Sequence, residues 1–176
     1  MSVRLFVALD LPAPARRALA AFRDEAADPA VWRPLPDESF HVTLAFIGHR
    51  PEEDVTRCVG ALEGVDAGAP PLALGRALLL TRVLTVRLED PSGGLARLQT
   101  DVSRALAGAG VYEPEARPFR PHVTVGRLRR GARPSRPVAA GPEQVTFAGG
   151  PLVLYRSVLG RGGARYQPLW STVAPG

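Results

Sequence analysis

Residues 41–44 read His41-Val42-Thr43-Leu44, and residues 122–125 read His122-Val123-Thr124-Val125. β-Branched residues dominate both stretches, which is typical of β-strands. Because side chains alternate between the two faces of a strand, the histidine and the threonine of each copy share one face. The same alternation predicts that the apolar residues of the first strand point into a core: Phe40, Val42, Leu44 and Phe46. Each copy therefore offers one imidazole and one hydroxyl from a rigid sheet.

Two such strands facing each other across a cleft would place the imidazoles on opposite sides of one substrate atom. Imidazole has a reference pKa of about 6.5, so near neutral pH one ring can accept a proton while the other donates one. The threonine hydroxyls would donate hydrogen bonds to the non-bridging oxygens of a phosphate. The pattern predicts an acid–base site for phosphodiester chemistry with His41 and His122 as the catalytic pair. Thr43 and Thr124 are its predicted phosphate-binding residues.

Arg127 follows the second motif and is a further candidate for phosphate binding. In an unbroken strand its side chain would point away from the face that carries His122. A bulge or a twist at Gly126 would redirect it to that face. We therefore predict that the second motif strand is bulged or twisted next to Arg127.

Metal binding is the main chemical alternative for the two histidines. Neither motif has a second histidine, a cysteine or a carboxylate at the spacing of a metal site, so no metal is expected. The third histidine, His49, follows Gly48 and is expected on a surface loop.

The rest of the chain alternates strand and helix patterns around the two motifs. Strands are predicted over residues 4–9, 40–47, 72–80, 83–88, 122–128, 145–147, 152–159 and 166–170, and helices over residues 12–27, 52–62 and 95–107. Several connections are too short for parallel crossovers, so the predicted fold class is α+β with mostly antiparallel pairing. The repeated motif strand suggests an internal duplication with an approximate two-fold axis.

Composition fits a globular protein of 176 residues, 45% of them hydrophobic. No apolar run is long enough to cross a bilayer and no signal sequence is recognisable, so a cytoplasmic location without membrane contact is expected. The lone Cys58 is expected to be a small core residue. The net charge is +5 and no residue is lysine. Arginine favours bidentate phosphate contacts, so this charge suits a polyanionic partner. GC-rich coding would also produce a chain with arginine and no lysine.

These residues resemble the two-histidine (2H) phosphoesterase superfamily, and within it the RNA 2′,3′-cyclic phosphodiesterases, also called 2′-5′ RNA ligases. The resemblance covers nearly the whole chain. It is carried by residues 4–9, 40–48 and 118–127, and by a C-terminal pattern that includes Leu154, Ser157, Leu159 and Tyr166.

The resemblance implies a bilobal 2H phosphoesterase fold over residues 1–176. Two mostly antiparallel sheets with flanking helices would surround a central cleft, with one motif strand per lobe. It also implies hydrolysis of a terminal 2′,3′-cyclic phosphate on RNA, or of a nucleoside 2′,3′-cyclic phosphate, to a 2′-phosphate without a cofactor. The resemblance further implies that His41 would protonate the departing ribose 3′ oxygen and that His122 would activate water. The same resemblance places Arg127 at a phosphate-binding position, and we expect a monomer with no obligate protein partner.

Three aromatic residues are candidates for stacking on a base: Trp32, Phe119 and Tyr166. Trp32 lies in the predicted loop 32–36, where a core role is equally consistent, and the same alternative holds for Phe119 and Tyr166. Four arginines between residues 129 and 136 could steer RNA toward the cleft, or could simply be solvated.

Other functions stay open at this point. The same site could act on 2′-5′-linked oligonucleotides or on a cyclic phosphate of ADP-ribose, and ligation could occur as the reverse reaction. An RNA-binding module without catalysis is a different class, and two intact motifs argue against it.

Overall fold

The computed structural model describes residues 1–134, 141–160 and 163–172. Within these ranges it has nine strands and three helices. The strands are β1 Ser2–Asp10, β2 Trp32–Pro34, β3 His41–Pro51, β4 Pro71–Leu80, β5 Val83–Glu89, β6 His122–Leu128, β7 Thr146–Ala148, β8 Leu152–Gly160 and β9 Gly163–Ser171. The helices are α1 Ala13–Ala26, α2 Asp54–Leu62 and α3 Gly94–Gly108, and a 3₁₀ turn spans Asp37–Ser39.

The strands form one sheet in the order β7-β4-β5-β6-β3-β1-β8-β9, and β2 pairs with β6. Every pairing is antiparallel. The expected α+β class is confirmed. The resemblance implied two mostly antiparallel sheets, and in the structure they are joined into one at the centre, where β3 and β6 share the single pair Val42 and Val123.

The strand order is symmetric about this central pair. Outward from it, β3 and β6 are followed by β1 and β5, then by β8 and β4, and finally by β9 and β7. Helix α1 lies between β1 and β3 in the chain, and α3 lies between β5 and β6. The suggested duplication is therefore visible in the topology, and it places the two motif strands next to the approximate two-fold axis.

The helices form where the sequence has an apolar face. In α1 the buried residues are Ala15, Leu19 and Phe22, and in α3 the buried stripe is Leu95, Leu98, Val102 and Leu106. Proline in the first turn of α1 suits a position where the amide has no helical partner. These faces cover one side of the sheet and leave the histidine side free.

Cys58 lies on the buried face of α2, as expected. Burial raises the pKa of its thiol to about 11. The thiol therefore stays protonated at neutral pH, which fits a core residue.

None of the helices in the described ranges is long and apolar enough to cross a membrane.

One local prediction is wrong. Residues 32–34, expected within a loop, form strand β2 and pair with residues 126–128 of β6. The two motif strands run in opposite directions from their single shared pair, so the distal part of β6 has a free edge. The segment before β3 pairs with that edge. No local pattern in residues 32–34 predicts this pairing.

Candidate active site

The central pair of the sheet brings the two motifs together. Val42 lies opposite Val123, and both side chains are buried on the core side of the sheet. Alternation then places His41 and Thr43 on the other side, together with His122 and Thr124. All four line one cleft of about 590 Å³. The structure thus brings the two motifs together in one cleft, as the sequence predicts.

Each motif strand carries a bulge directly after its threonine. In β3, Thr43 pairs with Ala8 and Ala45 pairs with Val7, so Leu44 is an extra residue without a partner opposite it. In such a bulge two consecutive side chains point to the same face, and Leu44 and Ala45 are indeed both buried. The alternation is therefore shifted by one after Leu44, until a second irregularity at Ile47, where Phe46 pairs with Phe6 and Gly48 pairs with Leu5.

The bulge in β6 occupies the corresponding position. Thr124 pairs with Thr85 and Gly126 pairs with Leu84, so Val125 is the extra residue. Arg127 consequently lies on the same side as His122 and lines the same cleft. Of the two distortions predicted at Gly126, a bulge or a twist, the structure contains the bulge, with Val125 as its extra residue.

The bulge in β3 overturns one prediction. Phe46, expected in the core, is 44% exposed and lines the cleft. The shifted alternation turns it outward, just as it turns Arg127 outward in the second copy. Phe46 and Arg127 are thus corresponding positions, one aromatic and one cationic.

The carbonyl group of each extra residue has a hydrogen-bond donor. The amide of Leu35 donates to the Val125 oxygen at 2.9 Å. In the other copy, Nε2 of Gln99 on α3 donates to the Leu44 oxygen at 3.3 Å. A backbone group and a side chain therefore serve the same purpose in the two halves, and each holds its bulge in place.

Both imidazoles are held in the same orientation. Nδ1 of His41 donates to the Ser39 carbonyl at 2.8 Å, and Nδ1 of His122 donates to the Arg120 carbonyl at 2.7 Å. A carbonyl oxygen only accepts hydrogen bonds, so Nδ1 carries the proton in both rings. This leaves Nε2 of each ring for a substrate, with a lone pair when the ring is neutral and a proton when it is charged.

Aromatic rings enclose His41. The ring centroids of Phe6 and Tyr166 lie 5.0 and 5.2 Å from that of His41, and the centroid of Tyr155 lies 6.1 Å away. The Tyr155 hydroxyl donates to the Asp10 carboxylate at 2.8 Å, which fixes this side of the enclosure. The ring of His41 is therefore held by packing as well as by its backbone hydrogen bond.

The enclosure changes the acidity of His41. The pKa of His41 is lowered from 6.5 to about 4. Burial is the largest cause, the nearby Arg16, Arg127 and His122 act in the same direction, and the hydrogen bond to the Ser39 carbonyl acts against them. At neutral pH the free protein therefore holds His41 as neutral imidazole. An anion bound in the cleft would raise this pKa, because an opposite charge stabilises imidazolium.

The cleft is cationic. Arg4, Arg33 and Arg127 line it, and none of the described residues in its wall carries a carboxylate. A volume of about 590 Å³ is in the range of sites for small ligands. Its size and charge fit a mononucleotide phosphate. Across residues 1–134, 141–160 and 163–172, no cluster of three or more histidine, cysteine or acidic side chains is placed to hold a metal ion.

The three aromatic candidates for base stacking lie in different places. Tyr166 lines the cleft beside His41. Trp32 is 5% exposed and belongs to the hydrophobic core, so its ring is not available to a base. Phe119 is half-buried outside this cleft and lines a second groove.

The arginine-rich segment after β6 contributes to structure at one position. Nε of Arg129 donates to the Pro29 carbonyl at 2.7 Å. Arg130 and Arg133 are exposed, and Arg136 lies outside the described residues. His49 is exposed as expected, although it lies within β3 and not in a loop.

Some residues of the cleft were not predicted. Arg4 and Phe6 lie on the cleft face of β1, and Arg33 lies on β2 opposite Arg127. Alternation in β1 was the available signal for Arg4 and Phe6, since Leu5 and Val7 between and beside them are core residues. Arg33 gave no such signal, because its strand exists only through pairing with β6.

The chain is similar to known phosphoesterases over both motifs. A family model described as "LigT like Phosphoesterase" matches residues 9–84 and 86–166, and each segment contains one His-Val-Thr motif. The RNA 2′,3′-cyclic phosphodiesterase of Escherichia coli is 31% identical over 169 residues, which cover 94% of this chain and 93% of that protein. The RNA 2′,3′-cyclic phosphodiesterase of Thermus thermophilus is 29% identical over 80% of this chain and 76% of that one. The crystal structure of E. coli LigT complexed with 3′-AMP superposes with a TM-score of 0.84 at 28% identity and covers 98% of both chains.

Proposed function

The chain belongs to the LigT-like phosphoesterase family, and on that premise we propose that it hydrolyses a terminal 2′,3′-cyclic phosphate of RNA to a 2′-phosphate. The observation that carries the proposal is the convergence of two His-Val-Thr strands in one cationic cleft. We further propose that residues 1–176 form a single bilobal domain with one motif strand in each half. Cytoplasmic location and the monomeric state stay predictions.

In the proposed reaction Nε2 of His122 accepts a proton from water, and the water oxygen attacks phosphorus. The bond from phosphorus to the ribose 3′ oxygen breaks, and that oxygen takes a proton from Nε2 of His41. The products are a 2′-phosphomonoester and a 3′-hydroxyl, and solvent restores the two rings to their starting protonation states. Each positioned acid or base contributes about 10²–10⁴-fold in rate.

Because the pKa of His41 is low, the substrate itself is needed to protonate this residue. The free protein keeps His41 neutral, so the acid is not charged before the substrate binds. The phosphodiester anion supplies the opposite charge that raises its pKa. Protonation of His41 is therefore coupled to occupancy of the phosphate site.

Three side chains would hold the phosphate in this scheme. Thr43 and Thr124 would donate hydroxyl hydrogen bonds to non-bridging oxygens, and Arg127 would donate from its guanidinium. Charge on these oxygens grows in the transition state, so preorganised donors lower the barrier. Regular alternation puts Thr43 and Thr124 on the face of the histidines, and the bulge at Val125 puts Arg127 there.

The direct experiment uses purified protein, a nucleoside 2′,3′-cyclic phosphate and EDTA, with identification of the product. We expect a 2′-phosphate, and a loss of about 10²–10⁴-fold in rate for His41→Ala and for His122→Ala. No turnover, or turnover that survives both substitutions, would contradict the proposal. Tight, salt-sensitive RNA binding without hydrolysis would point instead to a non-catalytic RNA-binding protein.

A substrate with a bridging sulfur tests which histidine is the acid and which is the base. In a substrate with sulfur in place of the 3′ oxygen, the leaving thiolate needs no proton, because a thiol has a pKa of only about 8.5. His41→Ala should then recover most of its lost rate, whereas His122→Ala should not. Recovery by His122→Ala instead would reverse the two roles.

A further inference from the structure

A second groove continues from the catalytic cleft on the side of His122. It has a volume of about 1380 Å³ and shares Thr43, Phe46, His122 and Arg127 with the cleft. Its remaining walls are the tip of the β4–β5 hairpin, one side of α3 and the segment of residues 112–120. The same side chains that face the phosphate site therefore face this groove.

The groove is larger than the reaction itself requires. A cleft of about 590 Å³ already matches a single nucleotide, and the second groove adds more than twice that volume. A substrate that consists of one nucleoside and its cyclic phosphate would leave this space to solvent. A polymer attached to that nucleoside would not.

The charge of the groove favours a polyanion. Its wall contains five arginines and one glutamate among the described residues: Arg82, Arg104, Arg117, Arg120, Arg127 and Glu115. The side chains of Arg104 and Arg117 are 77% and 82% exposed. Each is paired with an acidic neighbour at the surface, and such exposed pairs are weak enough for a phosphate to compete.

The groove also offers apolar surface at intervals between the charges. Phe46 and Leu79 are 44% and 41% exposed, and Phe119 is half-buried in the wall. Aromatic faces and cationic side chains along one groove are the features that bind single-stranded nucleic acid, because every base has a face that can stack.

We propose that this groove binds the single-stranded RNA chain that carries the terminal cyclic phosphate. The inference rests on the proposed function and adds a polymer-binding site to it. Arg104 and Arg117 contact backbone phosphates, and Phe119 contacts a base. The enzyme therefore prefers an oligonucleotide to a mononucleotide with the same reacting end.

The test compares two substrates across a range of salt concentrations. One is a nucleoside 2′,3′-cyclic phosphate, and the other is a short RNA oligonucleotide that ends in the same group. The variant is Arg104→Gln with Arg117→Gln, which leaves the catalytic residues unchanged. The matched control is Arg17→Gln with Arg76→Gln, which removes two exposed arginines that line neither groove.

For the oligonucleotide, the slope of log kcat/KM against log salt should become shallower by about 1.4 in the groove variant, at about 0.7 per lost phosphate contact. If the two proteins have the same kcat/KM for the oligonucleotide at ~1 M salt, this difference in slope lowers the kcat/KM of the groove variant by about 25-fold at ~0.1 M salt. The mononucleotide rate of the groove variant, and both rates of the control variant, should stay close to those of the unmodified protein.

The outcomes distinguish the two proposals. Without turnover of either substrate, the proposed function itself fails. If both substrates are turned over equally well and the groove variant matches the control, the groove does not bind RNA. An equal loss on both substrates would also overturn the inference, because the substitutions would then act through the catalytic site. A groove that holds a protein segment would give the oligonucleotide no advantage.

Discussion

The enclosure of His41 predicts a specific dependence of stability on pH. The pKa of His41 is lowered from 6.5 to about 4, mainly by burial between Phe6 and Tyr166. Between these values the unfolded chain binds a proton at this position and the folded protein does not. Stability is therefore lost as the pH falls through about 6.5, and the loss from this group is complete below about pH 4.

The magnitude follows from the size of the pKa difference. A drop from 6.5 to about 4 corresponds to about 3 kcal/mol at roughly 1.4 kcal/mol for each pKa unit. At about pH 4.5 most of it has already been lost, which is about 2–3 kcal/mol. This is a large part of the stability of an ordinary domain.

The assay is urea unfolding at about pH 7 and about pH 4.5 for three proteins. They are the unmodified chain, His41→Gln and His49→Gln. Glutamine stays neutral, so His41→Gln should lose about 2–3 kcal/mol less than the unmodified chain between the two pH values. His49 is exposed near the end of the same strand, and His49→Gln should behave like the unmodified chain.

Only the change between the two pH values matters here, because the carboxylates that titrate over the same range are common to all three proteins. Equal losses for His41→Gln and for the unmodified chain would refute the reasoning. His41 would then ionise in the folded protein as it does in the unfolded one. The proposed coupling between substrate charge and protonation of His41 would lose its basis.

Three further predictions concern the bulges and the phosphate site. Gly126→Ala should fold and keep its activity, because a Cβ there would lie 3.7 Å from its nearest neighbours and the corresponding residue of β3 is Ala45; a loss of activity would show that glycine is required. Arg127→Gln should lower kcat by about 10²-fold with the fold intact by circular dichroism, and an unchanged kcat would remove this side chain from the phosphate site. Gln99→Leu should lower the free energy of unfolding by about 1–3 kcal/mol, because the Leu44 carbonyl loses its donor, and chemical denaturation showing no loss would mean that another donor replaces it.

Much of the architecture could be predicted because it depends on local periodicity. The three helices end within two residues of their predicted limits, since each is marked by an apolar stripe and by proline or glycine near its ends. The motif strands were recognisable from their β-branched residues. The bulge beside Arg127 could be predicted as well, because a cation was needed on the face of His122.

Other features depended on contacts between distant parts of the chain. Trp32 is buried because its strand pairs with the free edge of β6. Phe46 is exposed because Leu44 has no partner in β1. Neither relation can be read from the residues around these positions, since a bulge or an edge strand is defined by the register of its partner.

The sequence by itself determined the reaction groups, because two identical His-x-Thr patterns at strand spacing put an imidazole and a hydroxyl on one face wherever those strands lie. The tertiary structure decided what surrounds them. Phe6 and Tyr166 come from strands far apart in the chain, and the burial of His41 between them is the largest cause of its lowered pKa. Acidity depends on the groups that surround a side chain in space, and folding alone brings those groups together.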